Sequence, residues 1–238
     1  MRGAIRRFLA RHDRDVIARP EPLASNRERI IRPTLRMVVS ELLDPKELNF
    51  VIVGAFDGLS NDEIYPLVKA HHFRGVALEP QPAAFARLSE AYRDEPQVQL
   101  VNAALDWKEG KREMFGVKPE FHSDKFHPQL ASFNRDVVMR YPGVADHEVG
   151  SFPVDCVTLK GCLERAGLER VDLLQIDTEG FDFEVIKMLD GAGLRPRIIK
   201  YEHKHLTRQD SPVCLRLLMK NGYDIAYDEY DVIAALVR

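Results

Sequence analysis

The sequence predicts an α/β protein built on a doubly wound, mostly parallel β-sheet with an antiparallel C-terminal strand. Short β-branched runs alternate with segments of helical spacing along most of the chain. The first clear run, residues 50–53, is continuously apolar, as expected for a parallel strand that is buried on both faces. The last two β-like runs, residues 222–228 and 232–237, are joined by only a few polar residues, which requires an antiparallel hairpin.

Length and composition favour one globular domain. A chain of 238 residues buries about 70–75% of its unfolded surface as a single domain. No apolar run approaches the roughly 20 residues of a membrane span, and the N-terminus lacks the apolar core of a signal peptide. Cys156, Cys162 and Cys214 show no metal-binding spacing, so we expect core thiols in a reducing, cytoplasmic environment, without structural zinc.

Charge divides the chain into two parts. The net charge is −3, yet residues 1–36 hold ten arginines against four acidic residues. We therefore expect a basic N-terminal arm over residues 1–36, with an amphipathic helix near its start, and a single domain over residues 37–238. Peripheral contact of this arm with a membrane or an acidic substrate stays open, whereas nucleic acid is not expected, because no basic and aromatic interleaving follows.

The first strand runs into a glycine turn, G-A-F-D-G, from Gly54 to Gly58. Both glycines permit positive φ, and Asp57 places a carboxylate in the turn. About twenty residues later a second apolar run ends at Glu79, where a doubly wound sheet places an acid that accepts from ribose hydroxyls. The turn lacks the third glycine of a dinucleotide fingerprint, and its carboxylate would repel a pyrophosphate. We therefore interpret the turn as a binding site for a cationic ligand such as S-adenosylmethionine; the alternative is an ordinary strand-to-helix turn without a ligand.

Further strands and helices follow in alternation. We expect strands at residues 75–80, 98–104, 171–176 and 197–205, and helices at residues 60–71, 82–94, 157–166, 181–189 and 212–221. The third strand runs into a small-residue turn at Asn102 and Ala103, where an adenine ring could lie against backbone; a plain strand end is equally consistent.

Residues 106–151 interrupt this alternation. Two β-like pieces, residues 111–117 and 151–158, flank a polar, aromatic-rich stretch. Loops of this length in a compact domain are usually functional, so we interpret the insertion as a substrate-facing lid. An ordinary surface loop is the alternative for each of its candidate contacts, which are His122, Lys125, His127, Ser132, Asn134 and Arg135.

Two carboxylates follow the strand at residues 171–176. Asp177 and Glu179 share a face if strand geometry continues, at the sheet edge where such folds bind ligands. They could accept a proton, bind a metal or orient a hydroxyl. Alternatively, Asp177 caps the next helix and Glu179 lies in its first turn. At the following strand end, Glu202 and His203 cannot both face the site in a regular strand.

The chain resembles the FkbM family of S-adenosylmethionine-dependent methyltransferases over roughly residues 48–225. The segments that carry the resemblance are VIVGAFDG, VALEPQP, NAAL, LASFNRD, VDLLQIDTEGFDFEVI and IIKYEHKHL. The resemblance implies a seven-stranded, Rossmann-like class I methyltransferase fold in a cytoplasmic enzyme. It also implies O-methylation of a hydroxyl on a sugar, glycolipid or other small molecule.

The resemblance also assigns site residues. Around the cofactor it places Gly54, Ala55, Asp57 and Gly58 at the methionine half, Glu79 with Pro80 at the ribose, and Asn102 with Ala103 near adenine. Asp177 and Glu179 would lie beside the methyl group. Candidate bases for in-line transfer are Asp177, Glu179, His203 and Glu202, and Mg²⁺ bridging Asp177 and Glu179 is a variant.

Two other function classes stay open. A nicotinamide-dependent sugar oxidoreductase would share the first strand and Glu79, but the sequence shows no Tyr-x-x-x-Lys pair. A non-catalytic binding module would keep the fold and use the basic arm for its partner.

Overall fold

A computed structural model describes residues 34–43, 48–60, 62–124, 126–227 and 229–236. Residues 1–33 of the predicted basic arm lie outside the described residues. The strands are β1 (Asn49–Val53), β2 (Arg74–Leu78), β3 (Val98–Val101), β4 (Ala104–Leu105), β5 (Gly110–Val117), β6 (Ala131–Ser132), β7 (Val149–Val157), β8 (Leu173–Ile176), β9 (Ile198–Glu202), β10 (Tyr223–Tyr227) and β11 (Asp231–Leu236). The helices are α1 (Leu35–Leu42), α2 (Tyr65–His71), α3 (Pro82–Ala91), α4 (Arg135–Met139), α5 (Leu159–Ala166), α6 (Asp182–Gly191) and α7 (Asp210–Lys220).

Within the described ranges the main sheet has seven strands in the order β10-β11-β9-β8-β1-β2-β3. The pairs from β9 through β8, β1 and β2 to β3 are parallel. β11 pairs antiparallel with both β9 and β10. The predicted fold class, with its C-terminal antiparallel hairpin, is confirmed.

Alternation along the central strands divides the core into two clusters, one on each face of the sheet. Val51 and Val53 pack with residues of α5, α6 and α7. Phe50 and Ile52 pack with residues of α1, α2 and α3. Because consecutive strand residues point to opposite faces, one continuous apolar run serves both layers. β1 is therefore buried at the centre of a doubly wound fold.

Several element boundaries differ from the sequence prediction. The helix predicted from residue 60 begins at Tyr65, because Asp62 accepts a 2.7 Å hydrogen bond from the Ile64 amide and keeps the preceding loop non-helical. The helix predicted from residue 157 begins at Leu159, where the hydroxyl of Thr158 caps it by accepting from the Gly161 amide at 3.1 Å. The strand predicted for residues 98–104 ends at Val101.

In the described part of the chain, the insertion and the segments that flank it form a second sheet of four strands in the order β4-β7-β5-β6. β5 and β7 pair antiparallel over eight positions, from Gly110 opposite Cys156 to Val117 opposite Val149. The two β-like pieces of the sequence thus pair with each other. The insertion is a folded layer rather than the loop-dominated lid that the sequence suggested.

Among the described residues, none of the helices has both the length and the apolar character needed to cross a bilayer. Cys156, Cys162 and Cys214 are buried free thiols, as expected.

Candidate active site

A cleft opens at the carboxyl ends of β1, β2 and β8. The cleft and the open solvent at its mouth together occupy about 890 Å³. One wall comes from the turns after these strands, with Gly54, Glu79 and Asp177 in its lining. The other wall comes from the insertion, with Met114 and Phe133. The cleft lies where open α/β sheets bind ligands.

The turn after β1 fits closely against the turn after β8. The amides of Gly54 and Ala55 both donate to the carbonyl oxygen of Leu78, at 3.0 and 2.9 Å. Gly54 has a φ of +82°, and a Cβ at this position would lie 1.7 Å from the carbonyl oxygen of Asp177. Only glycine fits this close approach of two backbones.

Glu79 connects two of the turns that line the cleft. Its carboxylate accepts 2.8 Å hydrogen bonds from the amides of Phe56 and Gln81, so it joins the turns after β1 and β2. The side chain is buried. Burial raises the pKa of Glu79 to about 7, against the opposing effect of these two amide donors.

The other predicted cofactor residues divide into two groups. Ala55, Pro80 and Ala103 line the cleft with Gly54 and Glu79. Outside this lining, the side-chain Nδ2 of Asn102 donates to the carbonyl oxygens of Glu79, at 2.8 Å, and Pro80, at 3.3 Å. Asn102 therefore fixes the chain around Glu79.

Asp57 and Gly58 also lie outside the lining of the cleft. The Asp57 carboxylate accepts from the amides of Leu59 and Ser60, at 3.0 and 2.7 Å, and from the Ser60 hydroxyl at 2.8 Å. Burial opposes ionisation, but these bonds lower the pKa of Asp57. A Cβ on Gly58 would meet Leu88. Both residues shape the turn, and contact between Asp57 and a cofactor stays a prediction.

Asp177 follows β8 directly and lies at the floor of the cleft. Its amide donates to the carbonyl oxygen of Val53 at 2.9 Å, which extends the pairing of β8 with β1 by one step. Its side chain is exposed to the cleft. Desolvation of its carboxyl group, reinforced by the charges of Glu179 and Asp182, raises the pKa of Asp177 well above its usual value.

Glu179 does not continue the strand. Its φ of +51° is left-handed, and Gly180 follows at +100°. The premise that Asp177 and Glu179 share a strand face is therefore wrong, because the chain turns after Ile176. Asp177 does not cap α6 either, since the N-cap residue is Phe181. Glu179 lines the cleft and also reaches the end of β9.

Asp182, which the sequence analysis missed, lies fully buried beneath these turns. It accepts hydrogen bonds from the Thr178 hydroxyl at 2.8 Å and from the amides of Gly180 and Glu202 at 3.2 Å. Burial raises the pKa of Asp182 to about 6. Its bonds join the turn after β8 to the end of β9, and an acid in the first turn of α6 is the sequence signal that could have drawn attention to it.

The end of β9 presents Glu202 and His205 to Glu179. His205 Nε2 lies 3.0 Å from Glu179 Oε2 and 3.5 Å from Glu202 Oε2. Burial, with the charges of Asp177 and Glu179, raises the pKa of Glu202 to about 9. The ring of His203 instead lies 6.3 Å from that of Tyr227, centre to centre. The structure thus joins Asp177, Glu179 and Glu202, and the neighbouring histidine is His205 rather than His203.

These residues also include the metal-capable group of the described chain. One ligand atom from each of Glu179, Glu202 and His205 lies within 4.8 Å of the other two. Asp177, which the sequence analysis paired with Glu179 for Mg²⁺, is not in this group.

Of the six candidate contacts in the insertion, Ser132 reaches the site. Its hydroxyl donates to the carbonyl oxygen of Glu179 at 2.7 Å. His122 contacts the Val117 carbonyl oxygen, and His127 is buried beside Asp124. The side chain of Asn134 caps α4, Arg135 pairs with Asp146, and Lys125 lies outside the described residues.

The aromatic wall of the cleft also escaped sequence reasoning. The rings of Phe133 and Phe181 meet edge to face at 5.1 Å, and the Arg112 guanidinium lies 3.9 Å from the centre of the Phe133 ring. Phe133 and Phe181 are 48 positions apart in the sequence, so no local pattern connects them.

Comparisons with known proteins give a family match and similar folds. The family model described as the methyltransferase FkbM domain matches residues 53–225. No curated protein matches the chain. Among solved structures, an FkbM methyltransferase from Methylobacillus flagellatus KT is similar at a TM-score of 0.50 and 13% identity, covering 81% of this chain and 44% of that one. A methyltransferase from Podospora anserina bound to S-adenosylhomocysteine gives a TM-score of 0.44 at 13% identity, covering 80% and 72%.

Proposed function

Because the chain belongs to the FkbM methyltransferase family and is an S-adenosylmethionine-dependent methyltransferase, we propose that it methylates a hydroxyl of a sugar, glycolipid or other small molecule. The observation that carries this proposal is the position of Asp177. The Asp177 carboxyl group has a raised pKa and is exposed to the cleft. The Asp177 main chain packs closely against Gly54, in the turn that would hold the cofactor. A carboxylate in such a place suits removal of a hydroxyl proton.

The residues of the cleft fit the cofactor. Gly54 leaves backbone uncovered where a side chain would collide with Asp177. Each Glu79 oxygen holds one amide and keeps a second lone pair for a ribose hydroxyl. Gln175 Oε1 lines the same cleft, is buried and has no hydrogen-bond partner within the described chain. Such an orphaned acceptor suits a ligand donor.

The reaction then needs little from the protein beyond position and a base. The bound cofactor supplies a methyl group on a sulfonium, which makes S-adenosylhomocysteine a good leaving group. The cleft walls hold the acceptor hydroxyl in line with that group. Asp177 would take the hydroxyl proton as the carbon–oxygen bond forms and the carbon–sulfur bond of the cofactor breaks, which would contribute about 10²–10⁴-fold to the rate.

The insertion wall supports a small hydroxylated acceptor. It combines apolar surfaces, Met114 and Phe133, with the amide side chain of Gln129. Such a mixture suits a sugar ring or a lipid-linked saccharide, which offers apolar faces and a polar edge. Contact of the basic arm with a membrane that carries such an acceptor is part of this proposal, as is a cytoplasmic location.

Asp177→Asn tests the proposed base. Turnover is measured as S-adenosylhomocysteine release over a panel of sugars and glycolipids, and cofactor binding by calorimetric titration with S-adenosylhomocysteine. We expect kcat to fall about 10²–10⁴-fold, with the dissociation constant of S-adenosylhomocysteine within a few-fold of wild type.

Asp155→Asn is the matched control, because Asp155 pairs with Lys111 on the exposed side of the small sheet. It should keep wild-type turnover. An active Asp177→Asn enzyme would remove the base assignment. A wild-type protein that binds S-adenosylhomocysteine but methylates amines rather than hydroxyls would overturn the acceptor class.

A further inference from the structure

We propose that Glu179, Glu202 and His205 form a binding site for a divalent transition-metal ion, represented by Mn²⁺, at the inner edge of the cleft. Asp177 is not one of its ligands. Binding of the ion stands on its own geometry, while its role toward the acceptor rests on the proposed function.

The three ligand atoms already lie at coordination spacing. Ligands about 2.0–2.2 Å from one ion are roughly 3.0–3.4 Å apart when they are adjacent in its coordination sphere. His205 Nε2 lies 3.0 Å from Glu179 Oε2 and 3.5 Å from Glu202 Oε2. All three atoms lie within 4.8 Å of one another. Small side-chain movements are therefore enough to bring all three atoms within bonding distance of one ion.

The two carboxylate oxygens lack the partners that buried oxygens normally have. Glu179 Oε2 and Glu202 Oε2 are shielded from solvent, and neither accepts a hydrogen bond in the described part of the chain. The contact of His205 with Glu179 is close but is not aligned as a hydrogen bond. Buried acceptors without donors are rare and unfavourable. A shared cation satisfies both oxygens at once.

The surrounding structure holds these ligands in place. The main chain of Glu202 donates to the buried carboxylate of Asp182, and that of Glu179 accepts from Ser132. Outer contacts of this kind orient ligands in metal sites. The side chains of Glu179, Glu202 and His205 retain only 17%, 15% and 14% exposure. The site is therefore both shielded and supported.

The donor set indicates the class of metal. Mg²⁺ prefers oxygen ligands alone in octahedral geometry, whereas one imidazole with two carboxylates suits Mn²⁺, Fe²⁺ or Zn²⁺. Three protein ligands leave coordination positions open. Because Glu179 lines the cleft, an open position on that side can receive the acceptor hydroxyl and make it more acidic before Asp177 takes its proton.

Mn²⁺ titration of the metal-free, full-length protein tests the site without any acceptor. The Mn²⁺ signal in electron paramagnetic resonance decreases as the ion binds, and calorimetry gives the stoichiometry. We expect one ion per chain with a dissociation constant on the order of 10 μM or tighter. Glu202→Gln and His205→Asn should weaken binding at least about tenfold.

His203→Asn is the matched control, because it removes a histidine two residues away whose ring lies against Tyr227. It should bind Mn²⁺ as wild type does. Thermal melting and S-adenosylhomocysteine titration of each variant report folding independently of the metal. Tenfold weaker binding by folded variants supports the site.

Three results would overturn the site: no stoichiometric binding by wild type, unchanged binding by both site variants, or equal loss in His203→Asn. In the first case the three residues form only an ion-paired cluster. Full turnover in the presence of a chelator would remove the metal's role while leaving the methyl transfer standing. If the protein binds Mn²⁺ but methylates no compound of the acceptor panel, the metal site is supported and the proposed function is overturned.

Discussion

The hydroxyl of Ser132 donates a 2.7 Å hydrogen bond to the main-chain carbonyl oxygen of Glu179, 47 residues further along the chain. Ser132 is itself buried, and its oxygen also accepts from the amide of Asn134 at 3.0 Å. This bond joins the insertion to the turn that carries Glu179. The insertion wall of the cleft thereby also positions an acidic side chain of the site.

Ser132→Ala should show whether the bond from Ser132 positions Glu179. Loss of one buried hydrogen bond reduces the free energy of unfolding by about 1 kcal/mol and frees the left-handed turn at Glu179. We expect kcat to fall roughly tenfold while S-adenosylhomocysteine affinity changes less than about twofold. Ser151→Ala, at an exposed serine of β7, is the control. Equal kinetics for both variants would show that the bond does not position Glu179.

Gly54→Ala should be among the most damaging small substitutions in the chain. Its Cβ would lie 1.7 Å from the Asp177 carbonyl oxygen, and the backbone has positive φ. We expect a loss of more than about 4 kcal/mol in chemical denaturation, together with loss of cofactor binding.

Gly143→Ala isolates the backbone contribution, because Gly143 has φ of +89° with nothing within 4 Å of the added Cβ. It should cost only about 1 kcal/mol. Similar losses for the two variants would show that the collision at Gly54 is relieved by movement.

Cofactor affinity should depend on pH through Glu79. Its pKa is raised from 4.5 to about 7 in the cofactor-free protein, so the protonated form dominates below pH 7. Ribose hydroxyls donate to the ionised form, and affinity should therefore rise with pH, by up to about tenfold per unit below pH 7, and level off above it.

The same shift affects folding in the opposite direction. The folded state binds the Glu79 proton more tightly than the unfolded state, so this contribution to stability is complete below pH 4.5 and is lost as pH rises through 7. The pH dependence of affinity is measured by calorimetric titration with S-adenosylhomocysteine between pH 5.5 and 8.5 on wild type, Glu79→Gln and the exposed-site control Glu113→Gln. If affinity still rises steeply with pH in Glu79→Gln, another group causes the dependence.

Local features of the site were readable from the sequence. The glycine turn and Glu79 each follow directly from a short apolar run, so their positions at the ends of β1 and β2 depend only on neighbouring residues. The C-terminal hairpin was predictable for the same reason, since the short connection leaves one geometry. The metal-capable group was not, because it requires contact between Glu179 and His205 across two strands.

The prediction of His203 as a candidate base, where the structure brings His205 to Glu179, shows where strand reasoning ends. Alternation would apply only if β9 continued, but β9 ends at Glu202. The amide of His203 donates to the Tyr230 carbonyl oxygen, and a bond from the Leu206 amide to the His203 carbonyl oxygen closes a turn. That turn brings His205 back over Glu202. The long-range bonds of Ser132 and Asp182 have no sequence pattern either.

The central position of β1 has a consequence for biosynthesis. β1 pairs on one side with β2, which follows closely, and on the other with β8, and the Asn49 amide bonds to Asp172 Oδ2 across 123 residues. As the chain emerges from the ribosome, β1, β2 and β3 can assemble around Glu79 while β8 is still unmade. One edge of β1 then waits, apolar and unpaired, until the insertion has been translated. An unpaired apolar strand edge favours aggregation, and the acidic half of the site can assemble only after β8 has been made.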